Sequence, residues 1–480
     1  MNATLAISQQ PIGEVSPLIY GGFLEHMGRS IYEGVYDPDS PLASQDGIRT
    51  DVVAALAELD ITMVRYPGGN FVSGYHWRDG VGPREQRPTV EDQAWKCIET
   101  NHFGTDEFMA LCRELDWQPM IAVNLGSGTP QEAREWLEYC NAASYSVPIW
   151  CLGNEMDGSW QIGHVPAAQY AERACQTAKL LKDADPSVET VACGSSDPIV
   201  KTYLEWDRTV LECLGDLADY ISLHRYVGNR ENDTASFLGV TNSIDQQIED
   251  VDAVCRDVAA RKQLKQRPFL CFDEWNVWYK SKEVGKMNGG GKFAQPIIEE
   301  VYNLEDALVV AGFLMSFMRH ADVVKVANLA QLVNVIAPLL TKKNALLKQS
   351  IFYAFGMLSR RKGGTSLQTT VDGPSYQTEL YGEVSFLDRA VTLLGDKLNL
   401  FLTNRSCNDA LNLKVSTNLE IDSVASAEIL HHEDPKAANS FANPNVVQAE
   451  TFSAIEVGTS GVSLTLPPLS LVAATLNVAR

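Results

Sequence analysis

Residues able to hold, donate or accept a proton stand at the ends of short apolar runs through the first three quarters of this chain. FLEH carries Glu25 and His26, RYPGGN carries Arg65 and Asn70, and a third run ends at Asn124. CLGNEMDGSW sets Asn154 beside Glu155, LHRY brings His224 and Tyr226, FDEWN brings Asp273, Glu274 and Trp275, and a last segment carries Asn328, Gln331 and Asn334. Two carboxylates on separate elements, among amides and aromatics and without metal-ligand spacing, are what cleavage of a glycosidic bond requires. One donates a proton to the leaving oxygen while the other attacks or activates water. Their surroundings must push the two pKa values apart, so that one stays protonated beside an ionised neighbour. Amides and an arginine suit sugar hydroxyls, and Trp95, Trp275 and Trp278 offer apolar faces to sugar rings.

These residues need a frame that brings them together. Candidate strands run from Leu18 to Phe23, Thr62 to Tyr66, Met120 to Asn124, Ile149 to Gly153, Thr190 to Gly194, Tyr220 to His224, Phe269 to Phe272 and Val323 to Ala327, with helical patterns between them. Eight strands separated by helices predict a parallel sheet closed into a (β/α)8 TIM barrel, whose active site lies at the carboxyl ends of its strands. In TPQEAREWLEYC, Thr129 is placed to cap a helix, Pro130 fits its first position, and Glu132 completes a capping box. In TDEFMALCREL, Phe108, Leu111, Cys112 and Leu115 form a stripe for the barrel wall, as Val52, Val53, Leu56 and Leu59 do in DVVAALAEL. After residue 362 the texture changes to short β-type runs such as VTLLGDKLNLFLTN and GVSLTLPPLSLVAATLNV. The expected organisation is a catalytic barrel over 15–362 and an all-β sandwich over 363–480, joined by a strand from 1–14.

Composition narrows the partners. A formal charge of −22 opposes nucleic acid and anionic membrane, because a phosphate backbone is held largely through Lys and Arg. The start, MNATLAISQQPIGEV, has no basic and apolar leader pattern, and no apolar run is long enough to span a bilayer, so the expectation is a soluble, cytoplasmic protein. The 10 cysteines are scattered without a C-x-x-C, which fits reduced, buried thiols. The 8 histidines show no H-x-H or H-E-x-x-H spacing, so neither a metal nor a cofactor is expected; His26 and His224 read as satisfied rim histidines, and His431 and His432 as solvated. GGGKF lacks the spacing and hydroxyl of a phosphate loop, NLGSGTP lacks the third glycine of a dinucleotide fingerprint, and Trp136 reads as core.

In this order and spacing, YGGFLEHMGRSIYEGVYDP, VRYPGGNFVSGYHWRDGVGP, WKCIETNHFGTDEFM, LGNEMDG, ISLHRYVGN, FDEWNVWY, EEVYNLEDALVVAGFLMSFMRHADVVKVANLAQLVNVIAPL and IFYAF resemble glycoside hydrolase family 51, the α-L-arabinofuranosidases, over nearly the whole chain. The resemblance implies a barrel paired with a jelly-roll-like sandwich, and an exo-acting retaining enzyme releasing terminal arabinofuranose from arabinoxylan- or arabinan-derived oligosaccharides. It makes Glu155 the general acid/base, Glu274 the nucleophile and Asn154 the partner of the sugar 2-hydroxyl. Glu25, Arg65, Asn70, Tyr226 and Gln331 match positions lining the terminal-sugar subsite or orienting the carboxylates, and Trp95 and Trp278 match its aromatic walls. A homo-oligomer, with hexamers common in such families, is also implied. The catalytic pair reads the bond more than the ring, so a β-xylosidase or glucan-cleaving hydrolase on the same fold remains an alternative, as does a non-catalytic carbohydrate-binding barrel. Ser159, where many relatives have proline, and the stretch Lys280 to Gly291 depart from the pattern and bear on the leaving-group side.

Overall fold

A computed structural model describes residues 1–283, 289–458 and 461–479. Eight parallel strands close into a barrel: Gly21–Phe23, Met63–Tyr66, Gln118–Ala122, Ile149–Leu152, Glu189–Ala192, Tyr220–Val227, Phe269–Val277 and Val324–Ala330, the last pairing with the first. We number these barrel strands one to eight in chain order. The first is shorter than its apolar run suggests. Pro17 and the cap from Ser16 turn Pro17–Tyr20 into a 3-10 helix, leaving only Gly21–Phe23 extended. The seventh is longer, so Glu274 lies within the strand and not beyond it.

The helices between strands bury the stripes their sequences carry. In Thr105–Leu115, Phe108, Leu111 and Cys112 are buried against the barrel. Helix Pro130–Ala142 starts as its sequence predicts, with the Thr129 hydroxyl accepting from the Glu132 amide at 3.1 Å. The reciprocal half of the capping box is missing, because the Glu132 carboxylate meets His76 Nδ1 at 2.8 Å instead. Trp136 is core, its indole donating to Thr105 Oγ1. All ten cysteines are free, and only Cys213 is exposed.

Beyond the barrel lies one continuous hydrogen-bonded sheet of ten strands, with Asn2–Glu14 between Thr365–Asp372 and Leu411–Thr417. Alternate residues of these strands, among them Leu5, Leu400, Leu413, Leu464 and Leu476, share a core separate from that of the barrel, as the period of two in an extended chain requires. The helix Leu304–Arg319 is apolar all round because it is covered by the barrel on one side and this sheet on the other. Charge ties the two layers together: Arg319 bridges Asp245 of the barrel helix Thr241–Lys262 and Asp388 of the sheet at 2.9 Å each. His431 and His432 are half-buried, not solvated; Nδ1 of His432 accepts from the Asp434 amide inside a turn.

Candidate active site

At the carboxyl ends of the strands opens a cavity of about 870 Å³. Eight of the ten predicted site residues line it: Glu25, Asn70, Trp95, Glu155, Tyr226, Glu274, Trp278 and Gln331. Arg65 and Asn154 lie just beneath, almost wholly buried. Arg65 donates from Nη1 to Glu274 Oε1 and from Nη2 to Asn154 Oδ1, both at 2.8 Å, and its Nε lies 3.2 Å from Asp273 Oδ2. A guanidinium fork spent this way on three side chains fixes their positions. The amide thus held leaves Asn154 Nδ2 buried with no protein partner. A substrate hydroxyl would satisfy it.

Glu274 is gripped from both sides, since Tyr226 donates its hydroxyl to Oε2 at 2.9 Å. Strand seven reaches this arrangement through an irregularity. Its register with strand six shifts between Cys271 and Glu274, and with strand eight between Phe272 and Trp275. In a regular strand neighbouring side chains face opposite sides; the bulge turns both Asp273 and Glu274 inward, Asp273 reaching Ser222, His224 and Arg65. Trp275 goes the other way, packing fully buried on Phe313 and Phe317. The expectation that Trp275 offers a sugar platform is therefore corrected.

Glu155 follows strand four in a left-handed conformation, φ 42°, after Gly153 at φ 91°. Its Oε1 lies 2.9 Å from His224 Nδ1, and its Oε2 accepts the Trp160 indole N–H at 2.6 Å. One carboxylate oxygen each of Glu155 and Glu274 and a ring nitrogen of His224 lie within 4.8 Å of one another. That spacing would admit a metal ion, but His224 is already engaged by Glu155 and Asp273. We read the trio as a hydrogen-bonded proton network.

The electrostatics of this network are uneven. Burial disfavours an imidazolium at His224, but the charges of Glu274 and Asp273 and its hydrogen bonds to Asp273 and Glu155 raise its pKa well above the ordinary value. Burial likewise pushes the Glu155 carboxyl up; His224, the Trp160 donor and Arg65 outweigh it and hold the group below its usual value. At Glu274, burial together with the charges of Glu155 and Asp273 prevails over His224 and Arg65, and the carboxyl is raised. Two carboxylates so close titrate as a pair.

Glu25 completes the floor. Its Oε1 accepts from Trp95 Nε1 and the Phe71 amide, both at 2.9 Å, and Gln331 spans its backbone amide and Oε2. Burial and the Glu274 charge push it up to about 8, against the donors Phe71 and Trp95 and the charge of Arg65. Trp278 stands edge-on to Tyr226 with 5.3 Å between ring centroids.

Several participants escaped the sequence reading. His224 was expected at the rim and instead bridges the carboxylates, whereas His26 is the satisfied histidine expected, held by Glu99 and Tyr66. Gly68 and Gly69 have a steric role: a Cβ at Gly68 would lie 2.4 Å from Glu25 Cγ, and one at Gly69 2.7 Å from Glu274 Oε1. The paired glycines of RYPGGN were the available signal. Trp160 gave none, being one tryptophan among 9. Asn124, Asn328 and Asn334 serve neighbouring loops, bonding the Gly126, Ser127 and Gly128 amides, the Gly22 carbonyl, and Arg29 and Thr341 respectively. Ser159 lines the cavity; of the stretch from Lys280 to Gly291, residues 284–288 lie outside the described residues.

A (β/α)8 barrel with paired carboxylates at the ends of strands four and seven, over a pocket of amides and aromatics, is the architecture of a glycoside hydrolase. Family models described as the α-L-arabinofuranosidase 1 domain and the α-L-arabinofuranosidase C-terminal domain match residues 55–238 and 273–470. The chain is 42% identical over 479 residues to the intracellular exo-α-(1→5)-L-arabinofuranosidase 1 of Bacillus subtilis, covering 96% of this chain and 95% of that one. It is 38% identical to an exo-α-(1→6)-L-arabinofuranosidase of Bifidobacterium longum, with 95% and 94% covered. A solved family 51 α-L-arabinofuranosidase, also from Bifidobacterium longum, superposes with a TM-score of 0.93 at 33% identity, covering 99% of each chain. This chain belongs to the α-L-arabinofuranosidases of glycoside hydrolase family 51.

Proposed function

We propose that the chain releases terminal α-L-arabinofuranose from arabinoxylan- or arabinan-derived oligosaccharides by double displacement, with Glu274 as nucleophile and Glu155 as general acid/base. The observation that carries this reading is the approach of the two carboxylates to within 4.8 Å. Retaining enzymes set their carboxyl groups about 5–5.5 Å apart, whereas inverting ones leave about 6.5–9.5 Å for a water.

The surroundings distinguish the roles. Glu274 sits deep, where Arg65 and Tyr226 aim it and Asn154 lies beside it. Glu155 sits toward the mouth, bonded to Trp160 of its own loop, which is the side a leaving group must exit. In the first step Glu274 attacks the anomeric carbon. The carbon–oxygen bond to the aglycone breaks, its electron pair stays on oxygen, and that oxygen takes the Glu155 proton. The glycosyl ester removes the charge of Glu274, so Glu155, now ionised, takes a proton from water. That water attacks the same carbon, and the departing carboxylate restores Glu274. The unpaired Nδ2 of Asn154 donates to the 2-hydroxyl oxygen next to the reacting carbon, a bond that strengthens as charge develops there.

The linkages in the relatives' names, (1→5) and (1→6), leave the terminal furanose unchanged, and the pocket floor reads that ring. Cytoplasmic action on oligosaccharides is supported by the Bacillus relative being an intracellular enzyme; no helix among the described residues is long and apolar enough to cross a membrane. Assembly into a homo-oligomer, a hexamer by family resemblance, belongs to the same proposal. Initial rates on 4-nitrophenyl α-L-arabinofuranoside, β-D-xylopyranoside and β-D-glucopyranoside test the substrate class: the furanoside is hydrolysed with kcat/KM at least 100-fold above either pyranoside, and preference for a pyranoside overturns it.

A further inference from the structure

The bonding at Glu155 poses a contradiction. A general acid must carry a proton, yet Glu155 Oε2 accepts the Trp160 indole N–H, Oε1 meets His224 Nδ1, and these partners hold the carboxyl below its usual value. One of those bonds comes from the Trp160 indole, which packs on Gly158 of its own loop, where a Cβ would lie 2.3 Å from its Cε2. The Trp160 residue is 53% exposed although it lies at the lip of the cavity. On the neighbouring loop after strand five, Ile199 is 87% exposed and lines the same cavity. Exposed apolar surface beside a pocket is a place for ligand to cover, and these two residues offer it to an aglycone. The loops themselves are anchored, since Asp157 accepts from both the amide and hydroxyl of Ser196 at 2.9 Å. Rotation of the Trp160 side chain therefore needs no loop opening.

We propose that Trp160 is a positioning residue for Glu155: its indole N–H occupies the carboxylate oxygen that must meet the glycosidic oxygen, and the entering aglycone displaces the indole and frees that oxygen. The proposal rests on Glu155 being the acid/base. An indole N–H only donates, so it stabilises an ionised carboxylate and competes with a proton on the same oxygen. The remaining charged groups facing Glu155 stay fixed during the exchange: His224 on strand six, Asp273 and Glu274 on strand seven, Arg65 on strand two and Asp157 on its own loop. Asp197 and Lys201 lie further out on the wall. With the donor gone, Glu155 gains proton affinity and takes one proton from solvent as the aglycone enters, before that oxygen is covered and must act as an acid. The form with Glu155 bonded to Trp160 is then the resting one.

Trp160→Phe keeps an apolar ring at the lip and removes the N–H. The free enzyme governs kcat/KM and the occupied enzyme governs kcat, so the two pH profiles report the two states. Losing a bond to a charged group should move the basic limb of kcat/KM to higher pH by about one unit, while the basic limb of kcat, already measured with the indole displaced, stays where it is in the wild type. A thermal midpoint unchanged in the variant accompanies this result, because the side chain is largely exposed. Both limbs unmoved, or both moved equally, overturns the proposal. Glu155→Ala measured in parallel keeps the two readings apart. If its loss of rate does not depend on the leaving group, the acid/base assignment fails; if that dependence holds and Trp160→Phe moves neither limb, only the role of Trp160 fails.

Discussion

Replacing Arg65 with lysine keeps the charge and removes the geometry. Arg65 makes two bonds of 2.8 Å, to Glu274 and Asn154, and a third contact of 3.2 Å to Asp273, all from one planar fork without solvent access. A single ammonium on a flexible stem cannot stand at three points of that fork. Two of the contacts are lost or lengthened, at about 1.5–3 kcal/mol for each hydrogen bond involving a charged group. If about half of that stabilisation is specific to the transition state, the barrier rises by about 1.5–3 kcal/mol, or a roughly 13- to 160-fold loss of kcat/KM. The assay is initial-rate kinetics on 4-nitrophenyl α-L-arabinofuranoside, with circular dichroism to confirm the fold. Because Glu274 and Asn154 act before and during departure of any aglycone, the same loss is expected with poor leaving groups. A variant within threefold of wild type, or one impaired only on poor leaving groups, would refute the reasoning that Arg65 aims the nucleophile.

Three further outcomes follow from the same geometry. Glu155→Ala slows natural oligosaccharides by about 10³-fold or more and activated aryl substrates far less, and azide restores turnover with the latter; equal losses would count against Glu155 as the acid. Gly69→Ala places a methyl group 2.7 Å from Glu274 Oε1, and the resulting displacement of the carboxylate lowers kcat by about 100-fold, which steady-state kinetics on any good substrate would reveal or disprove. Glu25, with an ordinary carboxyl value of 4.5, is pushed up to about 8 in the folded chain. Its folded form binds the proton more tightly, so its contribution is full below the ordinary value and is lost as pH rises toward 8. Glu25→Gln should therefore shrink the fall in thermal midpoint between pH 5 and pH 9, and an unchanged difference would remove this account.

The frame of the site was legible because strand ends in a barrel carry function at one face. That rule gathers Glu25, Arg65, Glu155, Tyr226 and Glu274 together with loop-serving residues such as Asn124, Asn328 and Asn334, and the resemblance to family 51 separated the two groups. What stayed hidden depends on departures from regular geometry. The strict alternation of a strand assigns Asp273 and Glu274 to opposite faces; only the bulge in strand seven brings both inward and sends Trp275 to the helix behind. His224 looked like any rim histidine because its three acidic neighbours come from two other strands. Glu132 shows the converse: a capping box written in sequence gave way to a tertiary partner, His76, that no local pattern announces. Gly69 stands beside Asn70 in RYPGGN, but its nearness to Glu274 is a fact of tertiary packing.

The account stands most directly on which side chain the sugar becomes attached to. A 2-deoxy-2-fluoro-α-L-arabinofuranosyl donor with an activated leaving group slows the second step more than the first, and proteolysis with mass spectrometry then locates the trapped sugar. The structure, in which Arg65 and Tyr226 hold Glu274 from both sides, predicts the label on Glu274. A label on Glu155 would contradict it.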